Sequence, residues 1–512
     1  MVRLSKWMMM GRWILTTSRQ GVDLAVDGDT VLVAPGEYVI LEPITFRGKA
    51  ITVKSELGRD ETTIRMGTPA DPNRGSVVIF ENNETAASVL DGFTIAGGAG
   101  SWVSAVSAYA GGGIYFDASA ATLRNCAIVQ NKADVGGGGG VSACFGASPM
   151  LTNCIVTGNS ATWGGGAHCW GKSSLALNNC IIRVNSATEY GGGIFASDNS
   201  SMTMTNCTIA ENSVENGGGG VFCGENSSIY MTECIIATNS TTKDTGGGVL
   251  CWDSSVTLTR CSIIGNTVRE WYAGGIYVGH GSAILTNCVI VRNTALLGGG
   301  GVMCSYPDTS LTITNCTIWG NSAGSLYWGG GGVLCRQASA TVTNSIICGN
   351  TSPKGREISV QDPASMLTIA HSNVGGGQAG VSVEGGCTLN WGAGNIDADP
   401  LFADPNNDDF HLKSQAGRWN PNSHSWVQDD VTSPCLDTGD PMSPINLESF
   451  PNGGFVNMGA YGGTLKASKA YFGGPVCETI VAGDINGDCQ VNRADLEIMA
   501  LHWTDEEPLP LP

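Results

Sequence analysis

Between residues 125 and 350 one pattern recurs nine times: an apolar run, Asn-Cys, an aliphatic residue, an Asn, a loop and a run of glycines. The cysteines are Cys126, Cys154, Cys180, Cys207, Cys234, Cys261, Cys288 and Cys316, and Ser345 takes the ninth place. Successive separations are 28, 26, 27, 27, 27, 27, 28 and 29 residues. A period this regular specifies a stacked array, in which each unit buries its apolar face against its neighbours. Two residues past the cysteine position stands Ile or Val (Ile128, Val156, Ile182 and so on to Ile347). Five past it stands Asn without exception, from Asn131 to Asn350. Three before it stand Leu123, Leu151, Leu177, Met204, Met231, Leu258, Leu285, Ile313 and Val342. The runs are short and alternate with period 2, so they read as strands, and no 3.6-residue period is long enough for a helix.

Three short strands per turn, about 27 residues per coil, give an all-β solenoid whose strands pair in parallel with their copies in the next coil. At about 4.8 Å per coil, nine coils span roughly 43 Å. Equal positions stack into ladders of Ile, Leu and Cys. Asn before the cysteine tolerates left-handed backbone and can hydrogen-bond its own copy, which suits a corner between strands. The glycine runs mark another corner with positive φ or close backbone approach. These residues resemble the single-stranded right-handed parallel β-helix family: pectate lyase-like proteins and the GG-aliphatic/FxxN repeats of polymorphic surface proteins. The resemblance covers residues about 20 to 465 and implies the fold; the fold itself hosts lyases, hydrolases, adhesins and inert scaffolds.

Around the array the chain divides as follows. Residues 1–19, with KWMMMGRWIL from Lys6 to Leu15, read as a degenerate or truncated signal-like leader or as a mis-set start. Residues 20–110 read as the N-terminal cap and first coils, with a capping helix near Asp23 to Val26. Residues 111–352 are the regular repeats. Residues 353–463, with NIDADPLFADPNNDDFHL and MGAYGG, resemble the terminal coils and cap of bacterial β-helix proteins. Residues 464–480 are a linker, 481–504 a small module and 505–512 a tail.

The net charge is −19 from 26 basic and 45 acidic residues. An acidic surface disfavours DNA, RNA and anionic membranes as partners. No run of 18 apolar residues is present, so no membrane span is expected. The 19 cysteines fall mostly in two columns, the Asn-Cys positions and those after the glycines (Cys169, Cys223, Cys251, Cys304, Cys335). Without C-x₂-C pairs or Cys/His clusters, and with parallel stacking aiming neighbours the same way, they read as buried thiols used as small apolar residues.

Three constellations carry chemistry. In GDINGDCQVNRADLEIMALHW, oxygen donors stand at alternate places: Asp484, Asn486, Asp488, Gln490, Asn492 and Asp495. This is the spacing with which an EF-hand loop wraps calcium, closed by a helix that starts near position 10. The short Asp at position 12 and the exit helix resemble a dockerin type I repeat, which implies calcium as cofactor and a cohesin-like protein as partner. Cys489 stands where the loop normally has Gly, and one loop is present where dockerins carry two. Second, Asp198, Glu225, Asp253 and His280 occupy equivalent places in four successive coils, about 5 Å apart by stacking. That spacing suits an acid/base pair, or a solvated edge. His280 in Gly-His-Gly resembles the polygalacturonase family, whose other motifs are absent. Third, Trp163, Trp170, Tyr190, Phe195, Phe222, Trp252, Trp271, Tyr277 and Trp328 flank the glycine corner. A partly exposed stripe of this kind suits sugar rings, unless loops cover it.

Three readings follow. An exported bacterial protein of the extracellular space or cell surface binds a polysaccharide or cell-surface glycan along its long face and is tethered by the calcium module. Alternatively, a polysaccharide lyase or glycoside hydrolase acts on the same face. In the third reading the array is a structural spacer.

Overall fold

The computed structural model describes residues 6–9, 12–15, 18–471, 491 and 493–502. The chain winds into a right-handed β-solenoid of about 13 turns, roughly 27 residues each. Most coils contribute one strand to each of four long, mainly parallel sheets. In one coil the strand before the cysteine is Ser201–Thr205, the strand after it Thr208–Ala210, the strand after the repeat Asn is Ser213–Val214, and the strand after the glycines Val221–Gly224. We call the corresponding sheets pre-cysteine, post-cysteine, post-asparagine and post-glycine; they hold 16, 13, 11 and 13 strands. The expectation of three strands per coil is therefore corrected to four. The additional strand is only two residues long in many coils, as at Ser240–Thr241 and Thr267–Val268, which leaves too few residues for an alternation to be visible in sequence.

Register makes the ladders. Leu177 pairs with Met204, Met204 with Met231, Met231 with Leu258 and Leu258 with Leu285, and all five are buried. Ile182, Ile209, Ile236 and Ile263 do the same on the post-cysteine sheet. At the N-terminal end the core widens and is filled by Phe46, Phe80 and Phe116, whose successive centroids lie 4.8 and 4.9 Å apart. The helix Ser18–Leu24 covers that end, overlapping the expected capping helix, and the strands Lys6–Met9 and Arg12–Leu15 pair antiparallel beside Thr30–Val33.

The asparagines from Asn131 to Asn350 form one buried column, each at most 1% exposed. From Asn159 onward each side chain accepts at Oδ1 from the backbone N–H and the Nδ2 of the Asn one coil earlier. For Asn239 these donors are Asn212 N (3.0 Å) and Asn212 Nδ2 (3.0 Å). Its own Nδ2 donates to Ile209 O at 2.9 Å and to Asn266 Oδ1 at 3.0 Å. The column begins where Gly98 N donates to Asn131 Oδ1 (2.9 Å) and ends where Asn350 N and Nδ2 donate to Glu357 Oε2 (3.2 and 2.7 Å). The glycines opposite are required by it. A Cβ on Gly193 would stand 2.9 Å from Asn212 Nδ2, and one on Gly192 would stand 2.4 Å from Ser213 O.

At the pre-cysteine corner, residues 125, 153, 179, 206, 233, 260, 287, 315 and 344 all have φ between 49 and 56°. Asn is the side chain that adopts this region at least cost; Glu233 and Arg260 adopt it too and pair with each other, Arg260 Nε to Glu233 Oε1 at 3.1 Å. Among the described residues every cysteine is a free thiol, and the Asn-Cys thiols donate to carbonyls, as Cys207 Sγ does to Leu177 O and Thr205 O, both at 3.3 Å.

The stretch expected as terminal coils and cap divides in two. Coils continue to Thr388–Trp391. The chain then runs back along the outer face of the post-cysteine sheet, burying Phe402, Phe410, Cys435, Leu436, Met458 and Ala460 against Val289, Val291 and Ile346. Corner asparagines hold it: Asn287 Nδ2 donates to Ala460 O and Gly462 O (3.0 and 2.7 Å), and Asn315 Nδ2 to Asn457 O (3.0 Å). Of the module at 481–504, Arg493–His502 is helical, with Asp495 in its first turn. Asp484, Asn486, Asp488, Gln490 and Asn492 lie outside the described residues. Among those described no helix is long and apolar enough to cross a membrane.

Two substitutions test the column. Asn239→Ala strands the two Asn212 donors and the Ile209 carbonyl, at about 1–3 kcal/mol per buried orphan, so the chain is expected to lose about 3 kcal/mol or more in denaturant unfolding. Glu357→Gln keeps an oxygen for Asn350 and removes a carboxyl whose pKa burial raises, so its melting temperature is expected to be unchanged or higher.

Candidate ligand-binding cleft

The outward positions of the post-glycine strands stack in register: Tyr115, Ser142, His168, Phe195, Phe222, Leu250, Tyr277, Met303 and Leu334. This apolar stripe faces away from the core, so whatever folds over it decides what is left open. Near the N-terminal end the hairpin of Gly100–Val103 and Ala108–Ala110 covers Ile79, Tyr115 and Cys144. Toward the other end the loops carrying Tyr272, Leu297 and Trp328 cover Leu250, Tyr277, Met303 and Leu334. Between the two covers the stripe opens into a cleft of about 380 Å³.

His168, Phe195 and Phe222 form the floor. Their rings stack with centroids 5.3 and 4.9 Å apart and planes inclined by 15 and 8°. One wall is Trp163 and Tyr190, paired on the post-asparagine sheet after a register shift. The same sheet has Gly137 and Gly217 on either side of them, so the wall has only these two rings. A Cβ on Gly137 would meet the His168 ring at 2.6 Å; that glycine gives the imidazole its place. The opposite wall is Trp170, Ser197 and Glu225, with Ser197 Oγ donating to Glu225 Oε2 at 2.5 Å. Val103, Val106 and Tyr109 close one end.

Polar chemistry in the cleft is sparse and placed. His168 Nδ1 and Ser142 Oγ are hydrogen-bonded at 3.0 Å, and Ser142 Oγ lies 3.3 Å from Cys144 Sγ. Burial pushes His168 down to about 4, so its imidazole is neutral at neutral pH. Burial also pushes the Cys144 thiol up to about 12, which leaves it un-ionised and a poor nucleophile. The cleft therefore offers flat apolar faces, a neutral imidazole, the hydroxyls of Ser197, Tyr109 and Tyr190, and one carboxylate. That set binds an amphipathic ring with hydroxyls on its edge.

Of the aromatic residues expected to bind, Trp163, Trp170, Tyr190, Phe195 and Phe222 come together here. The other four do not. Tyr277 is buried beneath the covering loops, and Trp328 packs on the same cluster with the Arg336 guanidinium 4.3 Å above its ring. Trp252 and Trp271 are exposed, and Trp252 packs edge-on against Tyr306 at 5.2 Å. The polar column is in register but does not converge. Asp198, Glu225, Asp253 and His280 all sit at left-handed corners, with φ between 51 and 55°. Glu225 is the member that lines the cleft. Asp198 accepts from its neighbour Asn199, and His280 pairs with Asp308 at 2.9 Å while stacking on Tyr306. His168 and Tyr109 are cleft residues that the sequence pattern does not single out. His168 holds the same repeat position as Phe195 and Phe222, which is a usable signal; the hairpin with Tyr109 interrupts the repeat and leaves none.

A family model described as right-handed β-helix region matches residues 108–260, and one described as disaggregatase related matches residues 335–439. No curated protein matches the chain. Among solved structures, the catalytic unit of a thermostable α-1,3-glucanase from Streptomyces thermodiastaticus is similar at 13% identity and a TM-score of 0.34, over 75% of this chain and 66% of that one. A pectate lyase is similar at 12% identity and a TM-score of 0.34, over 86% of this chain and 89% of that one. The chain thus spans just under two thirds of the glucanase unit.

Because the folded state lowers the pKa of His168 below its ordinary value of 6.5, the neutral imidazole contributes stability above that value, and the contribution is lost as pH falls toward about 4. His168→Phe extends the ring stack and removes this group. Its melting temperature is expected to fall less than the parent's as pH drops through that window.

Proposed function

We propose that the chain is an exported bacterial protein that binds a polysaccharide or cell-surface glycan in the cleft floored by His168, Phe195 and Phe222. The observation that carries this reading is the gap between the two covers. Elsewhere along the stripe loops bury the outward aromatic residues; here seven rings, His168 and Tyr109 among them, surround an open space of about 380 Å³. Parallel ring faces spaced one coil apart suit successive sugar units, and Glu225 and Ser197 stand where ring hydroxyls would lie. Binding in place of cleavage is favoured because the polar column is spread along a corner. A hydrolase needs two facing carboxyl groups about 5 to 9.5 Å apart across the bond to be cut, and among the described residues Glu225 is the one carboxylate that lines the cleft.

We further infer that residues 481–504 bind calcium and tether the protein to a cohesin-like partner. The donor spacing from Asp484 through Asn486, Asp488, Gln490 and Asn492 supports this. So does Asp495, which is buried in the first turn of the helix Arg493–His502, where the closing ligand of such a loop stands.

A panel of polysaccharides, read for both bound mass and newly formed reducing or unsaturated ends, tests the first reading. Trp170→Ala and Tyr190→Ala are each expected to weaken binding about tenfold, roughly 1.4 kcal/mol, with no change in melting temperature. New ends that disappear in Asp253→Asn or His280→Ala would instead establish the enzyme. For the module, calcium is expected to add helix and shift Trp503 fluorescence in the parent chain but not in Asp484→Ala. An unchanged parent spectrum at millimolar calcium would remove the tether from the proposal.

A further inference from the structure

Along the solenoid axis the cleft has a cover at either end. Val103, Val106 and Tyr109 close it on the hairpin side. On the other side Leu250, next in register after Phe222, is only 3% exposed beneath the loop that carries Tyr272. A chain running straight along the stripe would meet both. The corner wall is different. Its members stand three residues past the aliphatic that follows the glycines: Trp170, Ser197, Gly224 and, one coil beyond the cleft, Trp252. Gly224 pairs with Trp252 and brings no side chain to the wall. A Cβ there would stand 2.6 Å from the Phe222 ring, so the floor of the cleft continues through the wall at that point.

Outside this gap lies an aromatic surface that the cleft does not use. Trp252 is 38% exposed. Its indole lies over Gly279, where a Cβ would stand 3.0 Å from the ring. His280 and Tyr306 meet it edge-on, with centroids 5.1 and 5.2 Å away, and stack on each other at 4.2 Å. These neighbours hold the indole in one orientation while it remains open to solvent. No Lys or Arg lines the cleft, and Asp198, Glu225 and Asp253 follow one another along its corner. Carboxylates so placed accept from hydroxyls and repel uronate or sulfate groups. Resting on the reading of the cleft as a glycan site, we propose that it takes the end of a neutral glycan chain. The terminal units lie on His168, Phe195 and Phe222 against the hairpin, and the chain leaves across Gly224 onto Trp252.

The test uses the full chain with gluco-, xylo- and manno-oligosaccharides of two to six units, read by calorimetry. The soluble parent polymers are compared before and after partial hydrolysis, with polygalacturonate as the charged control. Affinity is expected to rise up to about four units, one per coil from His168 to Trp252, and then to level off. Trp252→Ala is expected to weaken binding of four to six units about tenfold and to leave two units unchanged, whereas Trp170→Ala, inside the cleft, weakens both. Hydrolysis is expected to raise the protein bound per gram of polymer in proportion to the chain ends created. Binding per gram that hydrolysis leaves unchanged overturns the proposal and leaves the glycan reading in place. So does a Trp252→Ala loss that is equal for two and six units, or tighter binding of polygalacturonate than of any neutral polymer. Binding of no sugar removes both. Should Trp252→Ala fail to fold, the hydrolysis comparison on the parent chain decides alone.

Discussion

The column of buried asparagines is the interaction on which the rest of the solenoid depends. A corner inside a protein leaves backbone N–H groups without a strand partner, and an unpaired buried N–H costs about as much as a lost hydrogen bond. Each Asn repairs the corner of the preceding coil and in turn has its own corner repaired by the next. The same side chain fixes the spacing between coils, because its oxygen and nitrogen must reach one coil forward and one coil back. The glycine run follows from it. The backbone of the next strand passes so close to the amides that no side chain fits, and Gly191 must also take φ of 67°.

Once the coils are fixed, outward chemistry becomes a matter of which positions are covered. The solenoid presents identical faces along its length, yet three segments break that symmetry: the hairpin near residue 105, the loops with Tyr272 and Trp328, and the returning segment held by Asn287 and Asn315. The first two leave a single stretch of the aromatic stripe open. The third changes the sequence beneath it. The post-cysteine sheet shows Arg183 and Thr208 to solvent in mid-array, but Val289, Val291 and Ile346 where the segment lies.

The solenoid is legible in the sequence because its information repeats. Asn five past each cysteine position, and an aliphatic residue or Met three before it, report the same environment many times over, so both ladders and their register can be read directly. The fourth strand is not legible, since two residues such as Ser240 and Thr241 carry no period. The cleft is half legible. Trp163, Tyr190 and Phe195 announce themselves by type, but whether Phe222 lies open and Tyr277 lies buried is decided by loops elsewhere in the chain. The path of the returning segment gives no signal, because no local pattern encodes a chain reversal.

The direction of the asparagine column sets how the array can change length. Every Asn hands its backbone N–H and one amide hydrogen to the oxygen one coil toward the C-terminal end, and the last of them meets a carboxyl oxygen of Glu357, which accepts and has no amide to pass on. Glu357 therefore acts as a stop. A duplicated coil inserted anywhere upstream finds a donor behind it and an acceptor ahead, whereas one placed after Glu357 finds no side-chain amide to continue the column. Lengthening and shortening by gene duplication are thus open within the run and closed at its end. The ruler can be reset in whole coils while the terminus, and everything folded back from it, stays the same.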